Sequence, residues 1–160
     1  MVDKNGSGLG LFGRRQTYSL YRMPPSAPTT FMKTVRDPLE IHFQKKAADL
    51  NIAPPIFDTN NTSYMVMLDL DEMSLADKYG SSASNIPTWI WKQIHYILQK
   101  LLKEANIEYI DITPYNFIEK DGVVWCIDYG HATPFRGNIR NWFLKDMLEK
   151  KLRRWNPDFV

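Results

Sequence analysis

An amphipathic helix in the middle of the chain limits the folds that this sequence can adopt. After Pro87, apolar side chains recur at helical spacing and form one stripe: Ile90, Ile94, Ile97, Leu98, Leu101 and Leu102. The spacing predicts a helix that runs to about Ala105 and buries this stripe against other elements. The segments on either side are short, apolar and bounded by turn residues, which is typical of strands. We therefore expect an α+β protein.

Length, composition and cysteine usage narrow the class of protein. The 160 residues suffice for one domain, or for two small lobes that share a cleft, and 44% hydrophobic residues exclude a disordered or fibrous chain. The net charge of +2 is too balanced for the whole surface to bind nucleic acid. The single cysteine, Cys126, fits a reducing compartment, and no apolar run is long enough for a signal peptide or a transmembrane span. We expect a soluble, intracellular protein.

The N-terminal part of the chain favours short strands and one helix. Glycines cluster near its start and predict a turn between strands: Gly6, Gly8, Gly10 and Gly13. Residues 30–35 are predicted to form a strand that carries Lys33. Asp37 and Pro38 are typical of a helix start, with the aspartate as cap and the proline at the first position. Tyr64–Leu68 is predicted to be a buried strand, and residues 79–85 a loop.

The C-terminal part favours a hairpin and a last helix. Two short apolar segments, residues 108–112 and 117–118, flank a polar turn, and Asp121-Gly122 predicts a hairpin turn before a strand over residues 123–127. A helix is predicted over about residues 139–155, with these apolar side chains on one side: Trp142, Phe143, Met147, Leu148 and Leu152. Six basic and two acidic residues lie between Arg140 and Arg154. This stretch is either a solvated face or a docking site for an acidic protein, RNA or a membrane surface.

Three polar residues at the ends of short strands form the most informative pattern. Asp111 is followed five residues later by Asn116, and Asp128 follows the predicted strand after the hairpin. Phosphoryl transfer needs one carboxylate to orient a hydroxyl, together with an amide and a second carboxylate that hold a divalent metal against phosphates. Taken singly, each of these residues is a common turn residue. Their joint spacing favours the chemical interpretation.

These motifs resemble those of the protein-kinase superfamily. The catalytic loop of that family spaces its aspartate and asparagine as Asp111 and Asn116 are spaced, and its Asp-Phe-Gly motif corresponds to Asp128-Tyr129-Gly130. The resemblance implies a two-lobed fold in a single domain, with a small antiparallel β N-lobe at about residues 1–68, a hinge at 69–72 and a truncated helical C-lobe at 73–160. It implies that Asp111 is the catalytic carboxylate, and that Asn116 and Asp128 hold Mg²⁺ or Mn²⁺.

The resemblance extends to an ATP site in the family's order. It implies that a glycine-rich loop covers the phosphates, formed by Gly8, Gly10 and Gly13. Lys33 matches the strand lysine that holds the phosphates, and Glu40 matches the helix glutamate that pairs with it, although seven residues is a short separation for the family. Backbone groups of Leu68 and Leu70 would bond adenine, and Met67 would guard the pocket behind.

Departures from the common family indicate which kinases this chain is most similar to. Tyr109-Ile110 stands where the family has His-Arg, so control by phosphorylation of an activation loop is not expected. No Ala-Pro-Glu motif follows Gly130. The chain looks most like compact atypical kinases, such as the KEOPS kinase, the RIO kinases, lipopolysaccharide-core kinases and the short kinases of large DNA viruses. For a viral chain, the host-cell cytoplasm or the virion would be its location.

The resemblance therefore implies an ATP- and Mg²⁺-dependent phosphotransferase that acts on Ser or Thr of a protein. A second hypothesis is a pseudokinase, a binding module for a partner protein, which the truncated C-lobe and the missing His-Arg favour. A third is a nucleic-acid-associated protein that works through the basic C-terminal stretch. A dimer or a partner protein could cover the apolar surface that so small a C-lobe leaves exposed.

Overall fold

The computed structural model describes residues 28–160 of the protein, so Gly8, Gly10 and Gly13 lie outside the described residues. The helices of this region are α1 (Pro38–Asp49), α2 (Leu75–Tyr79), α3 (Thr88–Ala105) and α4 (Trp142–Lys150). Its strands are β1 (Thr30–Thr34), β2 (Ile56–Thr59), β3 (Tyr64–Leu68), β4 (Ile107–Glu108), β5 (Phe117–Lys120), β6 (Val123–Cys126) and β7 (Thr133–Pro134). Short 3₁₀ turns span Ala83–Asn85 and Pro114–Asn116. The predicted α+β class is confirmed.

A three-stranded antiparallel sheet and α1 form the first part of the described chain. The strand order is β1-β3-β2, and Lys33 on β1 lies opposite Met65 on β3. The predicted start of α1 is confirmed: the Asp37 side chain accepts a hydrogen bond from the Leu39 N–H at 2.9 Å, and Pro38 is the first helical residue. Because three residues separate β1 from α1, Glu40 lies in the first turn of the helix, close to the end of the sheet.

The helix α3 supplies the centre of the main core. The six residues of its predicted apolar stripe are each 5% exposed or less. Gln93, on the same helix, holds the β5–β6 hairpin: its Oε1 accepts from the Val124 N–H and its Nε2 donates to the Gly122 carbonyl, both at 2.8 Å. The predicted hairpin turn is confirmed, with φ of 52° at Asp121 and 81° at Gly122. None of the four helices in residues 28–160 combines the length and the apolar character needed to cross a bilayer.

The prediction of one helix over residues 139–155 is wrong at both ends. The Asn141 side chain caps the start of α4 by accepting from the Leu144 N–H at 2.9 Å, and Lys151 ends the helix with a left-handed φ of 52°. Trp142 is half exposed, whereas Phe143 and Met147 are buried. Residues 151–160 leave the helical path because they pack against other elements, as described below.

Other differences concern short elements. Residues 79–85, predicted as a loop, contain the end of α2 and the turn Ala83–Asn85, and the strand β2 was not predicted. The segment 108–112 has only its first residue in a strand, because β4 ends at Glu108. Elements of two to five residues are too short to show a hydrophobic period, so their signals are local and weak.

Cys126, on β6, is fully buried. Burial raises the pKa of its thiol from its ordinary value of 9.0 to about 12. At pH 8 this lowers the reactive thiolate fraction about 10³-fold. We expect iodoacetamide to modify Cys126 at least about 10²-fold faster in 6 M guanidinium than in the folded protein, followed by mass spectrometry. Equal rates in both solvents would show that β6 is accessible.

Candidate functional site

A cleft of about 420 Å³ lies between the three-stranded sheet and the turns around the β5–β6 hairpin. Six of the residues that the sequence analysis singled out line it: Lys33, Met67, Leu68, Leu70, Asn116 and Asp128. The chain fold thus brings together side chains from β1, from β3 and from the segments on either side of the hairpin. Phe31, Met65 and Tyr115 add apolar and aromatic lining. The cleft is therefore mostly apolar, with a few convergent polar groups, as ligand sites commonly are.

The Lys33 ammonium lies between two carboxylates. Its Nζ donates a hydrogen bond to Oε2 of Glu40, and it lies 3.2 Å from Oδ1 of Asp128. The Glu40 side chain is 8% exposed and the Asp128 side chain 43%, so the contact with Glu40 is the more buried of the two. The short connection between β1 and α1 explains how a separation of seven residues is enough for the first contact.

These two carboxylates keep Lys33 charged. Burial lowers the pKa of the Lys33 ammonium, but the hydrogen bond to Glu40 and the negative charge of Asp128 outweigh burial and raise the pKa above its ordinary value. A lysine pKa raised in the folded state stabilises the protein at any pH below the ordinary value, and the stabilisation is lost as the pH rises through the folded-state pKa. Lys33 is therefore a cation throughout the neutral range.

Asp128 and Gly130 form a tight turn beside this lysine. Asp128 has a left-handed φ of 64°, a conformation that aspartate tolerates better than most residues, and its Oδ1 accepts a hydrogen bond from the Gly130 N–H at 3.2 Å. A Cβ at Gly130 would lie 3.3 Å from Asp128 Oδ1 and 3.3 Å from Glu40 Oε1. A larger residue here would push both carboxylates away by a few tenths of an ångström, so glycine favours this close approach.

A chain of hydrogen bonds connects the other two motif residues to Asp128. The Asn116 Nδ2 donates to the Asp111 carbonyl at 3.0 Å, and the Asn116 carbonyl accepts from the Ile127 N–H at 2.9 Å. The hydroxyl of Tyr109 donates to the Ile127 carbonyl at 2.6 Å. Asp111 and Asn116 are each 8% exposed. The loop that carries Asp111 and the segment that carries Asp128 are thus held together by backbone and amide contacts.

The C-terminal segment supports the same loop from its other side. The Asn156 N–H donates to the Ile112 carbonyl, and its Nδ2 donates to the Ile110 carbonyl, both at 2.8 Å. Asn156 has no solvent exposure. The neighbouring Trp155 packs against Trp91 on α3, with ring centroids 4.5 Å apart. These contacts are the physical reason why residues 151–160 do not continue α4.

Residues from the strand β3 and the segment after it form the apolar side of the cleft. Met67 is 7% exposed, and its Sδ lies 3.8 Å from Nε2 of the buried Gln44. The Leu68 N–H already donates to the Pro55 carbonyl at 3.0 Å. The Leu70 carbonyl accepts from the Lys120 Nζ. The backbone groups that could bind a ligand here are therefore the Leu68 carbonyl and the Leu70 N–H.

The donor atoms at Asn116 and Asp128 suit a hard divalent cation. The Asn116 Nδ2 is engaged with Asp111, which leaves its Oδ1 as a donor, and Asp128 contributes carboxylate oxygens to the same cleft. Mg²⁺ prefers oxygen ligands and is commonly held by one or two protein groups together with substrate phosphates. Within residues 28–160, no group of three or more His, Cys, Asp and Glu side chains is placed to hold a metal ion. Asn116 and Asp128 therefore fit a Mg²⁺ ion whose other ligands are the phosphates of a substrate.

The structure places most of the predicted site residues around one cleft. Sequence reasoning missed His131, whose Nδ1 lies 3.0 Å from Asp111 Oδ2, and the supporting contacts of Gln44 and Asn156. The only local signal for His131 was its place directly after Asp128-Tyr129-Gly130. A comparison with known proteins finds no protein-family model that matches the chain and no match among curated proteins.

Proposed function

We propose that the protein is an ATP- and Mg²⁺-dependent phosphotransferase with a protein-kinase-like fold that phosphorylates Ser or Thr of a protein. One observation carries the proposal: Lys33 contacts both Glu40 and Asp128 at a cleft that Asn116 also lines. Asp111 joins this group through its carbonyl contact with Asn116. A lysine paired with a helix glutamate, together with an aspartate and an asparagine that can hold Mg²⁺, is a recurring arrangement in kinase sites, which supports the proposal.

The proposed fold assigns the β1-β3-β2 sheet and α1 to an N-lobe that ends at about residue 68. Residues 69–72 would be the hinge, and residues 73–160 a C-lobe built on α3. Adenine would lie against Met67, with its polar edge toward the Leu68 carbonyl and the Leu70 N–H. The apolar lining of the cleft and the buried Gln44 support this orientation, because a purine needs apolar faces and few polar contacts.

Each charged residue has a role in the proposed reaction. Lys33, held by Glu40, would bind the ATP phosphates. Asn116 and Asp128 would hold Mg²⁺, which when bound neutralises charge on the phosphates. Asp111 would orient the acceptor hydroxyl and take its proton as the hydroxyl oxygen forms a bond to the γ-phosphorus and the bond to the bridging oxygen breaks, which releases ADP.

Two side chains near Asp111 are exposed, which supports a protein as the acceptor. Tyr115, in the turn between Asp111 and Asn116, is 57% exposed, and the His131 side chain next to Asp111 is 62% exposed. After Gly130, the helix in the described chain is α4, which packs on α3. An acceptor loop on another protein can therefore approach Asp111 from solvent.

The first test is phosphate transfer from labelled ATP with Mg²⁺, to the protein itself and to a histone mixture. We expect transfer by the wild type and about 10²-fold less by Asp111→Asn, because general-base catalysis is lost. Asp49→Asn is the control, since Asp49 is exposed at the end of α1 and outside the cleft. Transfer by Asp111→Asn at the wild-type rate would refute the assignment. ATP binding without any transfer by the wild type would instead favour a pseudokinase.

A further inference from the structure

His131 makes a side-chain contact with the proposed catalytic carboxylate. Its Nδ1 lies 3.0 Å from Oδ2 of Asp111, which is hydrogen-bonding distance. The Asp111 side chain is 12% exposed, whereas that of His131 is 62% exposed. His131 thus reaches from solvent to a largely buried carboxylate whose own loop is not part of a strand or helix.

The contact matters because an aspartate carboxylate is not oriented by its own backbone. The terminal torsion of aspartate is broad and roughly two-fold, so a carboxylate on a loop samples many orientations unless a partner selects one. The other hydrogen bonds at this loop hold the backbone: Asn116 binds the Asp111 carbonyl, and Asn156 binds the carbonyls of Ile110 and Ile112. His131 is the side chain that contacts the Asp111 carboxylate in the described hydrogen bonds.

The imidazole of His131 is itself held in place. Its ring lies against the ring of Phe159, with centroids 5.2 Å apart. The Phe159 N–H donates to the Asn156 carbonyl at 3.1 Å, so the C-terminal segment that supports the Asp111 loop also positions the histidine. An exposed histidine with a fixed ring face can act as a directional donor, which a freely rotating surface side chain cannot.

We propose that His131 is a positioning residue for Asp111 in the phosphotransfer reaction. With its proton on Nδ1, His131 donates to Asp111 Oδ2, which leaves Oδ1 to accept the hydrogen bond of the acceptor hydroxyl. Small losses of orientation at a reacting group are costly, because catalysis depends on a narrow range of approach geometries. This inference rests on the proposed function and adds to it a residue outside the catalytic loop and the Asp-Tyr-Gly motif.

The test compares two substitutions in transfer from labelled ATP and Mg²⁺ to the histone mixture. His131→Ala removes the donor, and we expect kcat to fall about 10-fold or more while the KM for ATP stays within about two-fold. His131→Asn keeps an N–H donor at the position of Nδ1, and we expect it to recover kcat to within about three-fold of wild type. The control is His42→Ala, an exposed histidine on α1 outside the cleft.

The outcomes separate this inference from the proposed function. A kcat unchanged in His131→Ala, or a rise in the KM for ATP alone, overturns the positioning role while the phosphotransfer proposal stands. Equal loss in His131→Ala and His131→Asn, accompanied by a lower melting temperature, overturns it in favour of simple packing against Phe159. If the wild type transfers no phosphate and Asp111→Asn behaves in the same way, both the proposed function and the positioning role of His131 are overturned.

Discussion

Asp128→Asn is expected to remove phosphate transfer while the protein stays folded. The substitution replaces a carboxylate that contacts Lys33 at 3.2 Å with a neutral amide of nearly the same shape. The proposed metal site would lose its one negatively charged ligand, and the loss of several kcal/mol of charge stabilisation corresponds to a rate decrease of about 10³-fold. The fold should persist because asparagine tolerates the left-handed φ of 64° as well as aspartate does.

The hairpin turn offers a matched control for this variant. Asp121 also has a left-handed φ, of 52°, and it is exposed and outside the cleft. Asp121→Asn therefore makes the same chemical change on the same backbone conformation, and we expect it to transfer phosphate at the wild-type rate. Circular dichroism and thermal melting of both variants would establish that they are folded.

The dependence on Mg²⁺ separates the role of Asp128 from that of Asp111. Half-maximal transfer by Asp128→Asn should need a higher Mg²⁺ concentration, because one of two ligands is weakened, whereas Asp111→Asn should keep the wild-type requirement. The measurement is residual transfer across a Mg²⁺ titration, with single-turnover conditions for the slow variants. A folded Asp128→Asn protein with the normal rate and the normal Mg²⁺ requirement would defeat the assignment.

The parts of the fold that were predictable have local signals. Asp37 and Pro38 specify the start of α1 within two residues, and the apolar period specifies α3 over 18 residues. The end of α4 has no such signal, because Leu152 continues the helical period of the apolar residues before it. Its helix ends where Trp155 and Asn156 gain contacts with other elements, and such contacts depend on the path of the whole chain.

The candidate site likewise has residues that a local sequence pattern predicts and contacts that depend on the path of the whole chain. The order of the motifs along the chain singled out Lys33, Asp111 and Asp128. The structure brings Lys33 and Asp128 into contact, and it links Asp111 to the cleft through Asn116. The contact of His131 with Asp111 joins residues 20 positions apart through a side chain, and a single histidine carries no sequence signal for its partner. Seven residues between Lys33 and Glu40 is a short separation for the family, and the short connection between β1 and α1 explains how Glu40 still contacts Lys33.

Asn156→Ala is expected to be the most destabilising of the substitutions considered. The side chain donates from Nδ2 to the Ile110 carbonyl at 2.8 Å and accepts at Oδ1 from the Asp158 N–H at 3.0 Å. Alanine removes both contacts at a site with no solvent exposure. The Ile110 carbonyl keeps only its bond from the Ile112 N–H, the Asp158 N–H loses its acceptor, and a small cavity forms. A hydrogen bond contributes about 0.5–1.5 kcal/mol, so two lost bonds and the cavity are expected to lower the free energy of unfolding by about 2–3 kcal/mol.

The matched control is Asn85→Ala, which also removes an amide that donates to a backbone carbonyl, from Nδ2 to Tyr79 at 3.1 Å. Asn85 is exposed, so water can replace the amide, and we expect a loss below about 0.5 kcal/mol. Urea unfolding followed by tryptophan fluorescence measures both values, since Trp155 lies next to Asn156. Equal losses in the two variants would mean that residues 155–160 do not hold the Asp111 loop. A large loss confined to Asn156→Ala, with reduced transfer by the folded fraction, would show that the C-terminal segment supports both the fold and the proposed catalytic carboxylate of Asp111.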